Sequence, residues 1–185
     1  MIRIRDLMDE DRDFVLACNR DNVEVLSPMD QDKLEYFREN SEMFRVVTID
    51  DEPAAFLIVL REGLDDYTSE NYIWFNGKYQ RFLYVDRIVI DEKFRRYGIG
   101  KALYEEVFAH ARSTDVPVVT AEIDIRPYNE PSLRFHERMG FREVGQQVIR
   151  GGQIEVSLQA RTDIGRIREV DHESSRSFLD TVSAR

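Results

Sequence analysis

The chain has 185 residues, 42% of them hydrophobic and 34% charged, which is the size of one ordinary globular domain with enough apolar side chains to bury a core. Its 36 acidic against 26 basic side chains give a formal charge of −10, a balance that repels phosphate backbones and argues against a nucleic-acid partner. A single cysteine, Cys18, rules out an internal disulfide, argues against a thiolate-rich zinc site and suits a reducing cytoplasm.

The opening MIRIRDLMDEDRD places no apolar block behind its arginines, so no signal peptide is expected. The longest apolar stretches, such as 54–60, fall far short of the ~20 residues that a membrane helix needs. A soluble cytoplasmic protein with no membrane partner is the expectation.

Ile2 and Ile4 alternate with Arg3 and Arg5, the pattern of a short half-buried strand. A helix comes next, with Asp9 as its expected N-cap and Phe14, Ala17 and Cys18 on one apolar face. Ser27-Pro28-Met29-Asp30 offers a cap, a proline at the first helical position and an acid in the first turn. A second helix is therefore predicted to run to about Asn40.

Residues 44–49 and 54–60 are β-rich runs joined by Asp50-Asp51-Glu52-Pro53, which predicts an antiparallel hairpin. From 61 to 81 the pattern breaks and reads as a long aromatic loop carrying Tyr67, Tyr72, Trp74, Phe75 and Tyr79. Residues 82–90 are a strand. Residues 98–113 are a helix with Ile99, Leu103, Val107 and Ala111 spaced by four, and 116–125 are a strand. Residues 131–139 form a short helix closed by Gly140, and 141–149 with 153–159 form a last hairpin about Arg150-Gly151-Gly152. The order β-α-α-β-β-β-α-β-α-β-β predicts one mixed α/β domain over 1–161. Residues 162–185 read as a polar C-terminal tail, with a docked helix as the alternative.

The chemistry concentrates where the strand ending Ile88-Val89-Ile90 enters the segment Asp91-Glu92-Lys93-Phe94-Arg95-Arg96-Tyr97-Gly98-Ile99-Gly100 and then a helix. A strand, a glycine-bearing loop and a helix N-terminus aim several free N–H groups at one point, an arrangement suited to a pyrophosphate. Lys93, Arg95, Arg96 and Lys101 add local positive charge. A dinucleotide fingerprint would want glycine where Leu103 stands, and a P-loop would want a hydroxyl where Ala102 stands.

Arg95-x-x-Gly98-x-Gly100 after a hydrophobic strand resembles the acyl-CoA loop of the GNAT superfamily of N-acetyltransferases. A second hallmark stands downstream in Asn129-Glu130-Pro131-Ser132-Leu133-Arg134-Phe135-His136-Glu137-Arg138-Met139-Gly140-Phe141, so that two motifs stand in order, separated by a helix and a strand. Tyr72-Ile73-Trp74-Phe75 ahead of Tyr84-Val85-Asp86-Arg87 is similar to a bacterial branch of predicted acetyltransferases.

The resemblance implies the GNAT fold: a mixed twisted sheet of about six or seven strands, flanked by helices, with a parallel pair that splays into a wedge. It also implies acetyl-CoA as co-substrate. Backbone groups of Ile88, Val89 and Ile90 would meet the pantetheine arm, and Arg95, Arg96, Tyr97, Gly98, Ile99, Gly100 and Lys101 would form the pyrophosphate loop. Asn129, Ser132 and Phe135 would supply the other wall.

Direct attack of an amine on the thioester needs a neutral amine, a stabilised oxyanion and a proton for the thiolate. An amine of pKa ~10.4 costs about 4–5 kcal/mol to deprotonate at pH 7, so a base is expected. Asp86 and Glu122 are the candidates; Asp86 can equally be an ion-pair partner of Arg87. His136 stands where many family members have a tyrosine, and it is the candidate acid, with a purely structural role equally open and Tyr128 or Tyr84 as alternative acids. Trp74, Phe75 and Tyr84 are candidate acceptor contacts. No metal is expected. The acceptor class is a small-molecule or peptide amine, and the resemblance allows a homodimer. The rival reading is a non-catalytic acyl-CoA-binding sensor; a toxin acting on aminoacyl-tRNA finds little support in a charge of −10.

Overall fold

The computed structural model describes residues 1–23 and 26–164. Seven strands form one sheet in the order β1-β2-β3-β4-β5-β7-β6. They are β1 (Ile2–Asp6), β2 (Met43–Ile49), β3 (Glu52–Arg61), β4 (Leu83–Ile90), β5 (Val119–Arg126), β6 (Arg142–Ile149) and β7 (Ile154–Arg161). The helices are α1 (Arg12–Arg20), α2 (Gln31–Asn40), α3 (Glu70–Lys78), α4 (Ile99–Ser113) and α5 (Glu130–Arg138).

Both faces of the sheet are covered, which explains why β3 reads as a continuous apolar run rather than an alternation. Val15, Cys18, Leu34, Phe37, Tyr72 and Phe75 bring α1, α2 and α3 onto one face. Ile99, Leu103, Tyr104, Val107 and Ala111 bring α4 onto the other, where Phe141 closes the core. Cys18 is part of that packing, and burial pushes its thiol up to about 12, so it is inert at neutral pH.

Among the described residues the strands pair antiparallel except β4 with β5, which are parallel. That pair is joined only at Leu83↔Val119 and Tyr84↔Thr120, after which the strands part. Across β3, Ile58 pairs with Arg87 and Val59 with Val85, so Asp86 is an extra residue that bulges from the ladder. The bulge inverts the facing of the remaining β4 residues. Val89 lies in the core on the side of α1–α3, while Ile88 and Ile90 pack on the side of α4 and α5.

Three local expectations differ from the structure. The segment expected as a loop contains α3, capped by Ser69, whose side chain accepts from the Tyr72 amide. The first helix begins at Arg12 rather than beside Asp9, which instead opens a 3-10 turn; Asp11 is buried and takes both Arg5 and the Met8 amide. The second begins at Gln31 and is capped by Asp30, because Ser27 is engaged elsewhere: its carbonyl and hydroxyl accept from Asn19 and Arg87. The expected polar tail lies, from residue 165 on, outside the described residues. No helix among the described residues is long and apolar enough to cross a membrane.

Candidate active site

Where β4 and β5 part, a cleft of ≈ 750 Å³ opens, bounded by the loop before α4, the start of α5, α2, the approach to α3 and the β6–β7 turn. Beyond Tyr84 the backbone of β4 that faces β5 has no strand partner, so its N–H and C=O groups are left to water or to a ligand. Ile88 and Ile90 line this open edge. Val89, between them, turns its side chain to the opposite core and can serve the cleft only through its backbone.

At one end, α4 is preceded by Gly98 at its N-cap, with φ +77° and no side-chain cap, which leaves the first-turn amides unsatisfied at the positive end of the helix dipole. A Cβ on Gly98 would meet nothing within 4 Å, so open space lies in front of that backbone. Arg96 also holds a positive φ of 80°, lines the cleft and has no ion pair among the described residues. Gly98, Ile99, Gly100 and Lys101 line the cleft with it. Arg95 and Tyr97 do not: Arg95 turns to Asn22 and Glu92, and Tyr97 is exposed against Phe94. Lys93 is tied to Glu52.

The α5 wall supplies Asn129, Ser132, Phe135 and His136. Asn129 caps α5 by accepting from the Ser132 amide at 3.2 Å. Phe135 stands 3.4 Å from where a Cβ on Gly100 would lie, so glycine there sets the spacing of α4 against α5.

At the mouth of the wedge, the Tyr84 hydroxyl donates to Glu122 Oε1 at 2.9 Å. Glu122 Oε2 is buried and makes no well-formed hydrogen bond among the described residues; the Asn71 side chain, which lines the cleft with it, lowers the carboxyl's pKa but offsets the burial only in part. Desolvation, with the negative Asp86 nearby, raises this carboxyl to about 8. The same environment raises Tyr84 well above the ordinary tyrosine value. Asp86 is differently placed: Tyr67 donates to its Oδ1 and Arg87 Nε to its Oδ2 at 2.7 Å. Arg87, 4% exposed, extends this network to Asn19 and Ser27. Asp86 is thus the buried ion-pair partner that its neighbour in sequence suggested, and neither of its oxygens is idle.

His136 lines the cleft but is 9% exposed, with both ring nitrogens engaged. Nδ1 lies 2.8 Å from the Ser132 carbonyl, which can only accept, so that nitrogen carries the proton; Nε2 accepts from the Tyr104 hydroxyl at 2.6 Å. Burial lowers the pKa of the imidazole. Tyr128, exposed, lies off the cleft, whereas Tyr104 lines it. Tyr104 leaves no functional signal in the sequence because it belongs to the buried face of a long helix, and only the packing of α5 on α4 brings it to His136.

The expected acceptor contacts divide. Tyr84 lines the cleft, but Phe75 is wholly buried in the core and Trp74 packs against Gly145 on β6. Both lie on α3, within the stretch expected as a loop. Tyr67, Glu70 and Asn71 line the cleft from that part of the chain. Among the described residues no group of three or more His, Cys, Asp or Glu side chains is placed to hold a metal ion.

Several solved structures share this architecture. The ribosomal-protein-S18-alanine N-acetyltransferase from Escherichia coli superposes with a TM-score of 0.63 at 17% identity, over 92% of this chain and 98% of that one. Arabidopsis thaliana NAA60 in complex with a bisubstrate analogue gives 0.68 at 19%, over 86% and 97%. Chaetomium thermophilum Naa20, also with a bisubstrate analogue, gives 0.69 at 18%, over 90% of each chain. At such identities these likenesses establish the fold. Comparison with curated proteins gave no significant match. The profile described as "Acetyltransferase (GNAT) family" matches residues 4–141. The chain therefore belongs to the GNAT acetyltransferase family.

Proposed function

We propose that the protein is an acetyl-CoA-dependent N-acetyltransferase that moves the acetyl group to a primary amine of a small molecule or peptide by direct attack in a ternary complex. The observation that carries the reading is Glu122: a buried carboxyl with one oxygen that makes no well-formed hydrogen bond among the described residues, set where the parallel strands part and in the same cleft as the loop that suits a pyrophosphate. Family membership and neighbours such as NAA60, whose structure contains acetyl-CoA, support the donor.

In this reading the amides from Arg96 to Lys101 and the Arg96 guanidinium hold the pyrophosphate, while Ile88, Val89 and Ile90 offer main-chain groups to the pantetheine and to the developing oxyanion. Asn129, Ser132 and Phe135 form the facing wall. Glu122 takes the proton of the acceptor. With an ordinary glutamate of pKa ~4.3, transfer from an ammonium of ~10.4 is uphill by about 8 kcal/mol; at about 8 the gap narrows to about 3 kcal/mol. The protonated Glu122 is then closely matched to a leaving thiolate of pKa ~8.5, so one group can serve as base and as acid. Asp86 keeps that value high through its charge. His136, neutral and doubly bonded, fixes Tyr104 against the thioester end of the wedge rather than carrying the proton.

Two measurements test the proposal together. Titration calorimetry should detect 1:1 binding of acetyl-CoA, and a thiol-release assay over a panel of amines should show CoA formation that depends on the amine. Binding without amine-dependent release would favour the rival reading, an acyl-CoA sensor.

A further inference from the structure

The acidic groups of the cleft account for an acceptor's amine, but the cleft also holds positive charge that acetyl transfer leaves unused. Lys33, on α2, lines it beside Tyr67 and Arg87, well away in sequence from the pyrophosphate loop. Its ammonium lies 5.7 Å from the centroid of the Phe37 ring and 5.9 Å from that of Tyr67. Among the described residues no carboxylate lies within ion-pairing distance of it. The nearby Asp86 is taken up by Arg87 and Tyr67. Partial burial lowers the pKa of Lys33 and the charge of Arg87 lowers it further, while the more distant charges of Asp86 and Asp30 offset this only in part. Arg150, in the β6–β7 turn, is a second cleft-lining cation with no ion pair among the described residues.

The geometry points to an acceptor that is a small zwitterion, an amine and a carboxylate on one short carbon skeleton, with the amine at Glu122 and the carboxylate at Lys33. This rests on the acetyltransferase reading for the role of Glu122. Proximity sets the size class: Lys33 lies over the ring of Tyr67, whose hydroxyl bonds Asp86, so the cation is about one tyrosine from Asp86, and Asp86 in turn is near enough to Glu122 to raise its pKa. A peptide N-terminus, whose carboxylate lies many residues away, would leave Lys33 without a counter-ion. An α-amino acid or a close homologue fills both ends.

The test compares free amino acids with the corresponding amino acid amides in the thiol-release assay, for the wild type, Lys33→Met and Lys33→Arg. The wild type should favour the free acids at least tenfold in kcat/KM, the preference should collapse toward one in Lys33→Met, and Lys33→Arg should restore most of it. Amides used as well as acids, or a preference that survives Lys33→Met, would overturn the assignment. Calorimetry of the same amino acids with the CoA-loaded protein separates the two levels. Lys33-dependent binding without thiol release would uphold the carboxylate site and remove the transferase reading. Acetylation of amides or diamines with no use of the free acids would uphold the transferase and remove the site.

Discussion

The hydroxyl of Tyr84, the last residue of β4 that pairs with β5, donates to Oε1 of Glu122, two residues beyond its strand partner Thr120. This bond spans the opening of the wedge, and Oε2 makes no well-formed hydrogen bond among the described residues. Replacing Glu122 by Gln should lower kcat by about 10²–10⁴-fold while leaving acetyl-CoA affinity within about twofold. In the wild type the rate should rise with pH up to about 8, as the carboxyl ionises, and Glu122→Gln should lose that limb. The pH dependence of thiol release checks both.

The same residue makes a stability prediction. Its folded pKa is raised, so the native state binds the extra proton between the ordinary value near 4.5 and about 8, and stability falls as pH rises through that window. Glu122→Gln removes the penalty of a buried charge and should gain up to a few kcal/mol over the wild type at pH 9, with a smaller difference at pH 5. Urea unfolding at the two pH values measures it; equal differences at both would show that the carboxyl is not desolvated.

Asp86→Asn should act on two links at once. Removal of the nearby negative charge lets Glu122 ionise at lower pH, so the rising limb moves in the acid direction. It also strips the buried Arg87 of its charged partner, at a cost of about 3–5 kcal/mol. A pH–rate profile of the variant at low temperature, with its melting curve, reads both effects; an unmoved limb would detach Asp86 from Glu122.

Tyr104→Phe leaves the buried Nε2 of His136 without its donor and should cost about 1–3 kcal/mol. His136→Phe should slow turnover but keep the limb near 8, and the stability effects of the two substitutions should be non-additive. If His136→Phe abolished turnover as fully as Glu122→Gln, the imidazole would be the proton donor. Because burial lowers the pKa of His136, its contribution to stability is present above about 6.5 and is lost as pH falls below that value.

Gly145 tests the aromatic helix. A Cβ there would stand 2.6 Å from Cζ2 of Trp74, the single tryptophan of the chain. Gly145→Ala should destabilise by about 1–3 kcal/mol and shift the intrinsic fluorescence, and adding Trp74→Leu should recover much of the loss. An unchanged melting temperature would contradict the packing of α3 on β6.

The loop proposed to hold acyl-CoA is legible in the sequence because it is built from main-chain geometry: a strand, glycines at 98 and 100 and a helix start leave a local pattern. The splayed pair is legible only through the family resemblance, since Leu83↔Val119 and Tyr84↔Thr120 are contacts between distant segments. Helix α3 is hidden because Asn76 and Gly77 lower helix propensity and its aromatic residues bury on several sides, although Ser69 and Glu70 carry the start signal. The bulge at Asp86 depends on register with β3, and the Tyr104–His136 bond joins residues 32 apart through the packing of α4 and α5. Lys33 carries no signal of its own, because a lysine on a helix is ordinarily solvated. Only the fold places it at the cleft.

The most direct test of Glu122 as the proton-transfer group is the rate of CoA release from acetyl-CoA in the presence of free amino acids, followed from pH 6 to pH 10 for the wild type and Glu122→Gln. Amine-dependent release in the wild type should rise to a plateau above about 8, and the variant should show a slow rate without that rise. Acetyl-CoA binding with no amine-dependent release at any pH, or a wild-type profile that Glu122→Gln reproduces, would contradict that role.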